Sequence, residues 1–592
     1  MEYFRDEPAG LVMKIEPNEN GKFITEIWFD YTLKLMKNIK EGDFLAAPSF
    51  KSERDKKHYV ILQVVKKFPR HFALKEDNLK KGYPGFLTEA ARNISQDWFS
   101  HYEESHDDNP KIICEAIPVN MGFWEGEEKV EEDYELPMLG AEAKLLSYEF
   151  MQKILNKGLD ENEDNITEIG KLQHNNKIRV LIRIEDLLRL HFGIFGFTGA
   201  GKSNLISTLI SKLLENSPKG TKIVIFDIMG EYLALLSDLL YKYPSSKIIG
   251  IGSKTFVESI YRYYQNENRD NLKKAAIDLL KTTLFPKKLF LKRKYFYYPF
   301  VEFLKRKIFK VYEEGIFSNV NKLFEEAGIN RLNISQKDKP ALDEILKIFG
   351  NKKISDVKDE LLKEIKNLLA QVSTTNAQKV LKYVQKKLEN MRETFLPEDA
   401  LISIPRLVEE LNNEEEKGLY IIQSHDPDAL KRFVFYLSSN IYERRRQEGI
   451  IKPLVSFIFD EADEFIPQDK YKKGDSEISR QAIELLARRG RKFGLGIGIA
   501  TQRVVYLDTN IMSQPHTYFI SKLPRVSDRE RVAEAFAISE DIFEQTFKFG
   551  KGDWLLVSHD ATGLESVPFP IHTENAEERI LEFLKLFLKY QS

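Results

Sequence analysis

Gly196-Phe197-Thr198-Gly199-Ala200-Gly201-Lys202-Ser203 is the stretch that decides the fold. It fits the G-x-x-x-x-G-K-[ST] pattern, in which a glycine-rich turn wraps the phosphates of a nucleotide. Its flanks are the ones this chemistry needs. Gly193-Ile194-Phe195 ahead of it is a short apolar run that predicts a buried strand. Behind it, Leu205/Ile206, Leu209/Ile210 and Leu213/Leu214 recur at helical spacing with one buried face. Strand, turn and helix start together aim backbone N–H groups and a positive dipole end at an anion. Gly196, Gly199 and Gly201 let the backbone curl that tightly, and Thr198, Ala200 and Asn204 complete the phosphate-enclosing segment. Lys202 then reaches the β- and γ-phosphates and Ser203 holds Mg²⁺, so ATP and Mg²⁺ are the expected ligands.

At 592 residues the chain exceeds what one core supports, so several domains are expected. Its 42% hydrophobic and 30% charged content is that of an ordinary soluble globular protein. No stretch approaches the ~20 apolar residues of a membrane span. Met1-Glu2-Tyr3-Phe4-Arg5-Asp6 lacks the apolar core of a signal peptide, so no membrane association and a cytoplasmic location are expected. The single cysteine, Cys114, excludes internal disulfides and cysteine-rich zinc sites and is expected as a small buried residue. A net charge of −2 says nothing about nucleic acid, because a ring can confine its basic groups to a central channel.

Residues 1–140 are β-rich, with short apolar or alternating runs at 11–15, 23–29, 44–47, 59–65 and 112–117, the spacing of a small antiparallel barrel. The acidic run over 125–133 is expected as a solvated loop, and a helix is expected over 141–155. Past the phosphate loop, a strand at 222–226 ends at Asp227-Ile228-Met229-Gly230-Glu231-Tyr232, where open α/β sheets place their sites. Further strands are expected at 248–251 and 419–422. Between them, 256–395 breaks the alternation and carries helical periodicity through Val357, Leu361, Leu362, Ile365, Leu368 and Leu369, the mark of a helical insertion. Lys287-Lys288-Leu289-Phe290-Leu291-Lys292-Arg293-Lys294-Tyr295-Phe296-Tyr297-Tyr298 mixes bases with aromatics as strand-binding surfaces do. An aromatic core beneath solvated lysines is the favoured reading there.

Leu454-Val455-Ser456-Phe457-Ile458-Phe459 is an almost wholly apolar strand closing on Asp460-Glu461. Asp460 is expected to hold the Mg²⁺ shell and Glu461 to polarise the attacking water. A helix follows, ending in Arg488-Arg489-Gly490-Arg491-Lys492, and a strand at 495–500 closes on Thr501-Gln502-Arg503. Gln502 at that tip faces the γ-phosphate. Arg488 and Arg491 have two readings, as cations capping a helix C-terminus or as an arginine supplied across a subunit boundary to the transition state. A late strand is expected at 553–557, and a helix at 580–588, apolar nearly all round, has to dock on something. The expected division is a barrel at 1–140, an α/β ATPase core at 141–255 and 396–575, the insertion at 256–395 and a C-terminal helix at 576–592.

Asp460-Glu461-Ala462-Asp463 spells the DEAD box, but in those helicases the box lies far nearer the phosphate loop and a Ser-Ala-Thr motif follows it. The motif order here instead resembles the HerA family within the HerA/FtsK group of ring-shaped ATPases. The matching segments are His191 leading into Gly196–Asn204, then Asp227 through Gly230-Glu231-Tyr232, then Phe459-Asp460-Glu461-Ala462. Gly490-Arg491-Lys492-Phe493-Gly494, Thr501-Gln502-Arg503, Ser513-Gln514, Thr517 and Phe549-Gly550-Lys551-Gly552 follow. The resemblance spans nearly the whole chain and implies a RecA-like core, an N-terminal barrel and a helical insertion. It also implies a homohexamer that moves double-stranded DNA by ATP hydrolysis. Partners of the family are NurA-like nucleases in archaeal DNA-end processing and nuclease or sirtuin-like effectors in bacterial phage defence. Either a DNA translocase or an ATPase scaffold that controls an effector is consistent with the resemblance. Four positions depart from the family pattern. Ile228-Met229 stands where Pro-His is common and Asp463 where His is common, while Leu190 stands where Arg commonly precedes the histidine. That last change leaves Arg488 or Arg491, rather than Arg189, as the candidate trans-acting arginine.

Overall fold

Alternating apolar residues let short strands bury one face each, and the first part of the chain uses them to close a barrel. The computed structural model describes residues 2–17, 23–71, 110–252, 254–313, 319–329, 334–352, 354–390, 396–536 and 540–587. The barrel strands are β1 (Gly10–Pro17), β2 (Phe23–Asp30), β3 (Phe44–Pro48), β4 (His58–His71), β5 (Pro110–Trp124), β6 (Glu131–Glu132) and β7 (Glu142–Leu145). Their order is β2-β1-β7-β3-β4-β5, closed by β2 on β5, with β6 beside β5. Val12, Ile27, Phe29, Leu45, Leu62, Val64, Cys114 and Leu145 fill the interior. Burial pushes the Cys114 thiol up to about 12, so it is inert packing. The part of the expected barrel at 72–109 lies outside the described residues.

Two elements here differ from their expectations: β6 pairs with β5 inside the acidic run expected as a solvated loop, where Asp133 is buried, and a strand replaces the start of a helix. The helix expected over 141–155 is confined to Tyr148–Leu155, and β7 occupies the first positions, pairing with β1 and β3. Ala143 and Leu145 are buried while Glu142 is exposed, a period-2 pattern that completes the barrel. The helix begins only after Ser147, whose hydroxyl accepts from the Phe150 N–H at 3.2 Å as an N-cap.

The chain forms two units. The first is Met1–Pro218, Glu461–Tyr471 and Gly496–Ala576, and the second is Lys219–Asp460, Lys472–Leu495 and Glu577–Ser592. Following the chain, β8 (Ile166–Leu172), β9 (Asn175–Arg183) and β10 (Phe192–Phe195) belong to the first. The second contains β11 (Lys222–Asp227), β12 (Lys247–Ile251), β13 (Phe309–Tyr312), β14 (Gly418–Gln423) and β15 (Val455–Phe459). They run parallel in the order β13-β12-β14-β11-β15. The chain then supplies β16 (Leu495–Thr501), β17 (Thr517–Ile520), β18 (Asp553–Ser558) and β19 (Phe569–His572). In the first unit β10 lies parallel to both β16 and β17, and β18, β19, β8 and β9 follow antiparallel beyond β17. Every residue of β10, β11, β15 and β16 is buried, as parallel strands covered on both faces require. Both units are thus α/β in build, and the first also carries the N-terminal barrel.

Polar contacts fix the barrel within the first unit. Gln63 donates to the Pro568 carbonyl at 2.9 Å, and buried Asp43 pairs with Arg5 at 2.7 Å and His174 at 3.0 Å. Burial alone would raise the Asp43 pKa, but the His174 hydrogen bond and the Arg5 charge hold it below the usual carboxylate value. Close backbone approach matters at Gly496, where a Cβ would sit 1.7 Å from the Leu188 carbonyl oxygen. Gly496→Ala is therefore expected to cost about 3 kcal/mol, read as a lowered unfolding midpoint and poor soluble yield. A wild-type melting curve would contradict that packing.

Among the described residues of 256–395 the elements are helices and the strand β13, which pairs parallel with β12. Within this stretch Val320, Phe324, Leu342, Ile345, Leu361, Ile365, Leu381 and Val384 belong to a hydrophobic cluster of their own. The C-terminal helix runs over Ala576–Lys585, and Leu588 lies outside the described residues. It docks through Arg579, on the Leu235 carbonyl at 3.1 Å and Asp238 at 3.1 Å, and through Phe583 on Tyr241. Within the expected range Ile580 and Leu584 are buried while Glu582 and Lys585 are exposed, so its docked apolar surface is a stripe rather than the whole circumference. Among the described residues no helix is long and apolar enough to cross a membrane.

Candidate active site

β10 ends at Phe195, and the next six residues turn directly into the helix Lys202–Asn216. Gly199 and Gly201 have φ of +88° and +103°, a left-handed backbone that side chains strain. A Cβ on Gly199 would meet nothing within 4 Å, so that face of the loop is open. Gly196 is packed instead, with Ser521 Cβ 3.0 Å and Trp554 3.4 Å from where its Cβ would lie. Gly201 caps the helix without a side-chain hydrogen bond, and the first turn, Lys202-Ser203-Asn204, holds no acid. A helix start that supplies no anion of its own fits a phosphate. The Ala200 carbonyl accepts from the Gly552 N–H at 3.2 Å, and Asn204 accepts from the Ala576 N–H at 2.9 Å, so two distant turns brace the loop. Lys551, next to Gly552, brings its side-chain carbons to 3.6 Å from the Cβ position of Gly201. It is a second cation beside the loop.

Glu461 stands in the same unit with φ of +50°. A non-glycine residue in that region is held there by its surroundings at a cost of about 1–3 kcal/mol, a strain that clusters at functional sites. Gln502 at the tip of β16 joins the two motifs. Its amide oxygen accepts from the Thr198 hydroxyl, and its Nε2 donates to Glu461 Oε1 at 3.4 Å. Asp463 anchors that tip, accepting from the Thr501 hydroxyl at 2.7 Å with Arg503 at 3.8 Å.

Asp460 belongs to the second unit and is 9% exposed. The Tyr232 hydroxyl donates to Asp460 Oδ2 at 2.8 Å. Tyr232 is held in turn by Asp227, which accepts from the backbone N–H groups of Gly230 at 2.7 Å, Glu231 at 3.2 Å and Tyr232 at 3.0 Å, and from Gln423 at 3.0 Å. Full burial raises the Asp227 pKa to about 6 against the pull of those donors. Asp227 is thus the keystone of a turn, and Tyr232, which the sequence showed as the end of this stretch but gave no role, is the side chain that reaches a site residue. Arg488 and Arg491 are exposed in the second unit, and Arg488 pairs with Glu484 one turn back at 3.1 Å. Arg189 pairs with Glu185 at 3.5 Å.

No cluster of three or more His, Cys, Asp or Glu side chains suits a metal among the described residues. Mg²⁺ needs no such cage, because it takes one or two protein ligands and completes its shell with phosphates and water.

The chain is similar to several known proteins. The family model for the central domain of helicase HerA matches residues 167–494. The DNA double-strand break repair helicase HerA of Pyrococcus furiosus is 24% identical over 416 residues, 66% of this chain and 67% of that protein. The protein of that name from Sulfurisphaera tokodaii is 26% identical over 429 residues, 72% of this chain and 71% of its own. Among solved structures, VirB4 of Thermoanaerobacter pseudethanolicus aligns over 72% of this chain and 100% of its own at a TM-score of 0.37 and 15% identity.

Proposed function

Because this chain belongs to the family of the HerA helicase central domain, we propose that it is a Mg²⁺-dependent, ATP-hydrolysing hexameric translocase of double-stranded DNA. It works with a nuclease or other effector subunit in DNA processing or phage defence. The observation that carries this reading is the connection Thr198–Gln502–Glu461, which ties the phosphate loop to a carboxylate able to activate water. The loop from Gly196 to Asn204 binds the phosphates, Lys202 offsets their charge and Glu461 orients the attacking water by accepting its proton. Gln502 contacts the γ-phosphate end of the substrate and passes its presence to Glu461. Ser203 and Asp460 hold Mg²⁺, which when bound neutralises charge on the β- and γ-phosphates. Arg488 or Arg491 acts on the site of a neighbouring subunit.

The test is hydrolysis and mass together. The 69.0 kDa chain is expected to assemble to six copies with nucleotide, and duplex DNA is expected to stimulate its ATP turnover. A persistent monomer would overturn the ring. An assembled ATPase indifferent to DNA, with a partner's activity changing instead, would replace the translocase by a regulatory scaffold.

Tyr232 gives a second test. Tyr232→Phe removes the donor that orients Asp460 and leaves the ring in place. The Mg²⁺ concentration needed for ADP to raise the melting temperature is expected to increase about tenfold, the scale of lost hydrogen bonds behind a metal ligand. An unchanged Mg²⁺ requirement would reduce Tyr232 to a packing residue.

A further inference from the structure

The stretch 287–298 meets neither expectation in full. Leu289 and Phe296 are completely buried, and Phe296 stacks edge-on against Phe285 at 4.9 Å, so part of the segment is core. Tyr295, Tyr297 and Tyr298 are half-buried, and the remaining residues of the stretch are exposed. Phe290 is 48% exposed, Leu284 52% and Leu291 76%. Around them stand Lys287, Lys288, Lys292, Arg293 and Lys294, all exposed. From Lys281 through Val301 the sequence holds six cations and no carboxylate. Lys281 pairs with Asp278 at 3.7 Å, while none of the other five forms an ion pair with a described residue. Elsewhere lysines and arginines repeatedly meet acids, as at Lys153–Glu128 or Lys307–Asp399. A cluster of like charges left uncompensated beside exposed apolar groups costs stability unless something anionic covers it.

The platform is built rather than loose. Backbone bonds from Phe290 to the Pro286 carbonyl at 2.8 Å, Lys292 to Leu289 at 2.9 Å and Tyr295 to Lys292 at 3.0 Å hold its turns. The Arg293 guanidinium lies over the Phe290 ring at 4.3 Å, and Lys294 lies over Tyr295 at 5.0 Å.

We propose that this surface, centred on Phe290, Leu291 and Arg293, binds a single nucleic-acid strand outside the ATP site. The cations match the phosphates. The Phe290–Arg293 stack offers flat faces to unpaired bases, which every base can use. A duplex supplies the phosphates but keeps its bases stacked inside, leaving Leu284, Phe290 and Leu291 with nothing to touch. An anionic membrane would accept the apolar tips, but drawing Phe290 into it would pull along the guanidinium that covers its ring. The site is independent of the ATPase reading, because nothing in it involves nucleotide hydrolysis.

The test uses the full chain without nucleotide. A fluorescent thirty-base oligothymidylate, a labelled duplex of equal length and vesicles containing phosphatidylserine are titrated in parallel. Phe290→Ala is expected to weaken single-strand binding about tenfold and to leave duplex binding and DNA-free ATP turnover unchanged. Replacing Lys287, Lys288 and Lys292 together by alanine is expected to lower the slope of log affinity against log salt by about 2. All four side chains are exposed, and circular dichroism checks that the variants remain folded. Wild-type protein that does not hold the single strand, or variants that hold it as tightly as wild type, would overturn the proposal. So would an equal loss on the duplex, or a loss confined to vesicles.

Discussion

Glu461→Gln is expected to bind ATP as tightly as the wild type and to hydrolyse it about 10²–10⁴ times more slowly, the range of a lost general base. The substitution keeps size and shape, so the left-handed backbone at Glu461 and the contact from Gln502 at 3.4 Å both survive. What it loses is the negative oxygen that orients water and accepts its proton. Lys202→Ala should fail at an earlier step, since a cation that offsets the phosphates is gone and binding weakens with turnover. Single-turnover hydrolysis alongside fluorescent-nucleotide binding separates the two. Near wild-type turnover in Glu461→Gln would remove this carboxylate from the site.

The arginine variants come second in size. In the isolated chain Arg488 is 64% exposed and pairs with Glu484 across one helical turn, which contributes at most about 0.5 kcal/mol. If Arg488 or Arg491 does only that, alanine should cost less than ~1 kcal/mol and leave hydrolysis nearly intact. In the trans role the folded ring persists while turnover falls about 10³-fold, the scale of an arginine finger. Mixing decides between them. Hybrid rings of Glu461→Gln chains with arginine-mutant chains contain some interfaces where an intact carboxylate faces an intact arginine, so part of the activity should return. An arginine acting within its own subunit gives no such rescue, because neither chain carries both groups. Absence of rescue in verified hybrid rings would refute the trans role.

Much was written locally in the chain. The phosphate loop, the buried strand closing on Asp460-Glu461 and the helical spacing of Leu205 through Leu214 are short-range patterns. Each follows from neighbouring residues competing for burial, turn geometry or an anion. The barrel strands were equally legible from their alternation. β7 and β13 are among the strands that were not, because both are only four residues long and owe their extended form to partners distant in the sequence, β1 and β3 for one and β12 for the other. Tyr232 reaching Asp460, and Gln502 joining Thr198 to Glu461, were likewise beyond the sequence. Such bonds depend on where strands end in a sheet, and no spacing along the chain encodes that. The same holds for 287–298. Its composition shows both bases and aromatics, but which rings are core and which are surface depends on how the segment packs. Leu289 and Phe296 went inward, and that left Phe290 and Leu291 facing water. The sequence by itself determined the chemistry available, namely a phosphate loop, two carboxylates and a strand-tip glutamine. Only the tertiary structure decided which side chains meet, because contact between distant residues is fixed by the packing of the whole sheet.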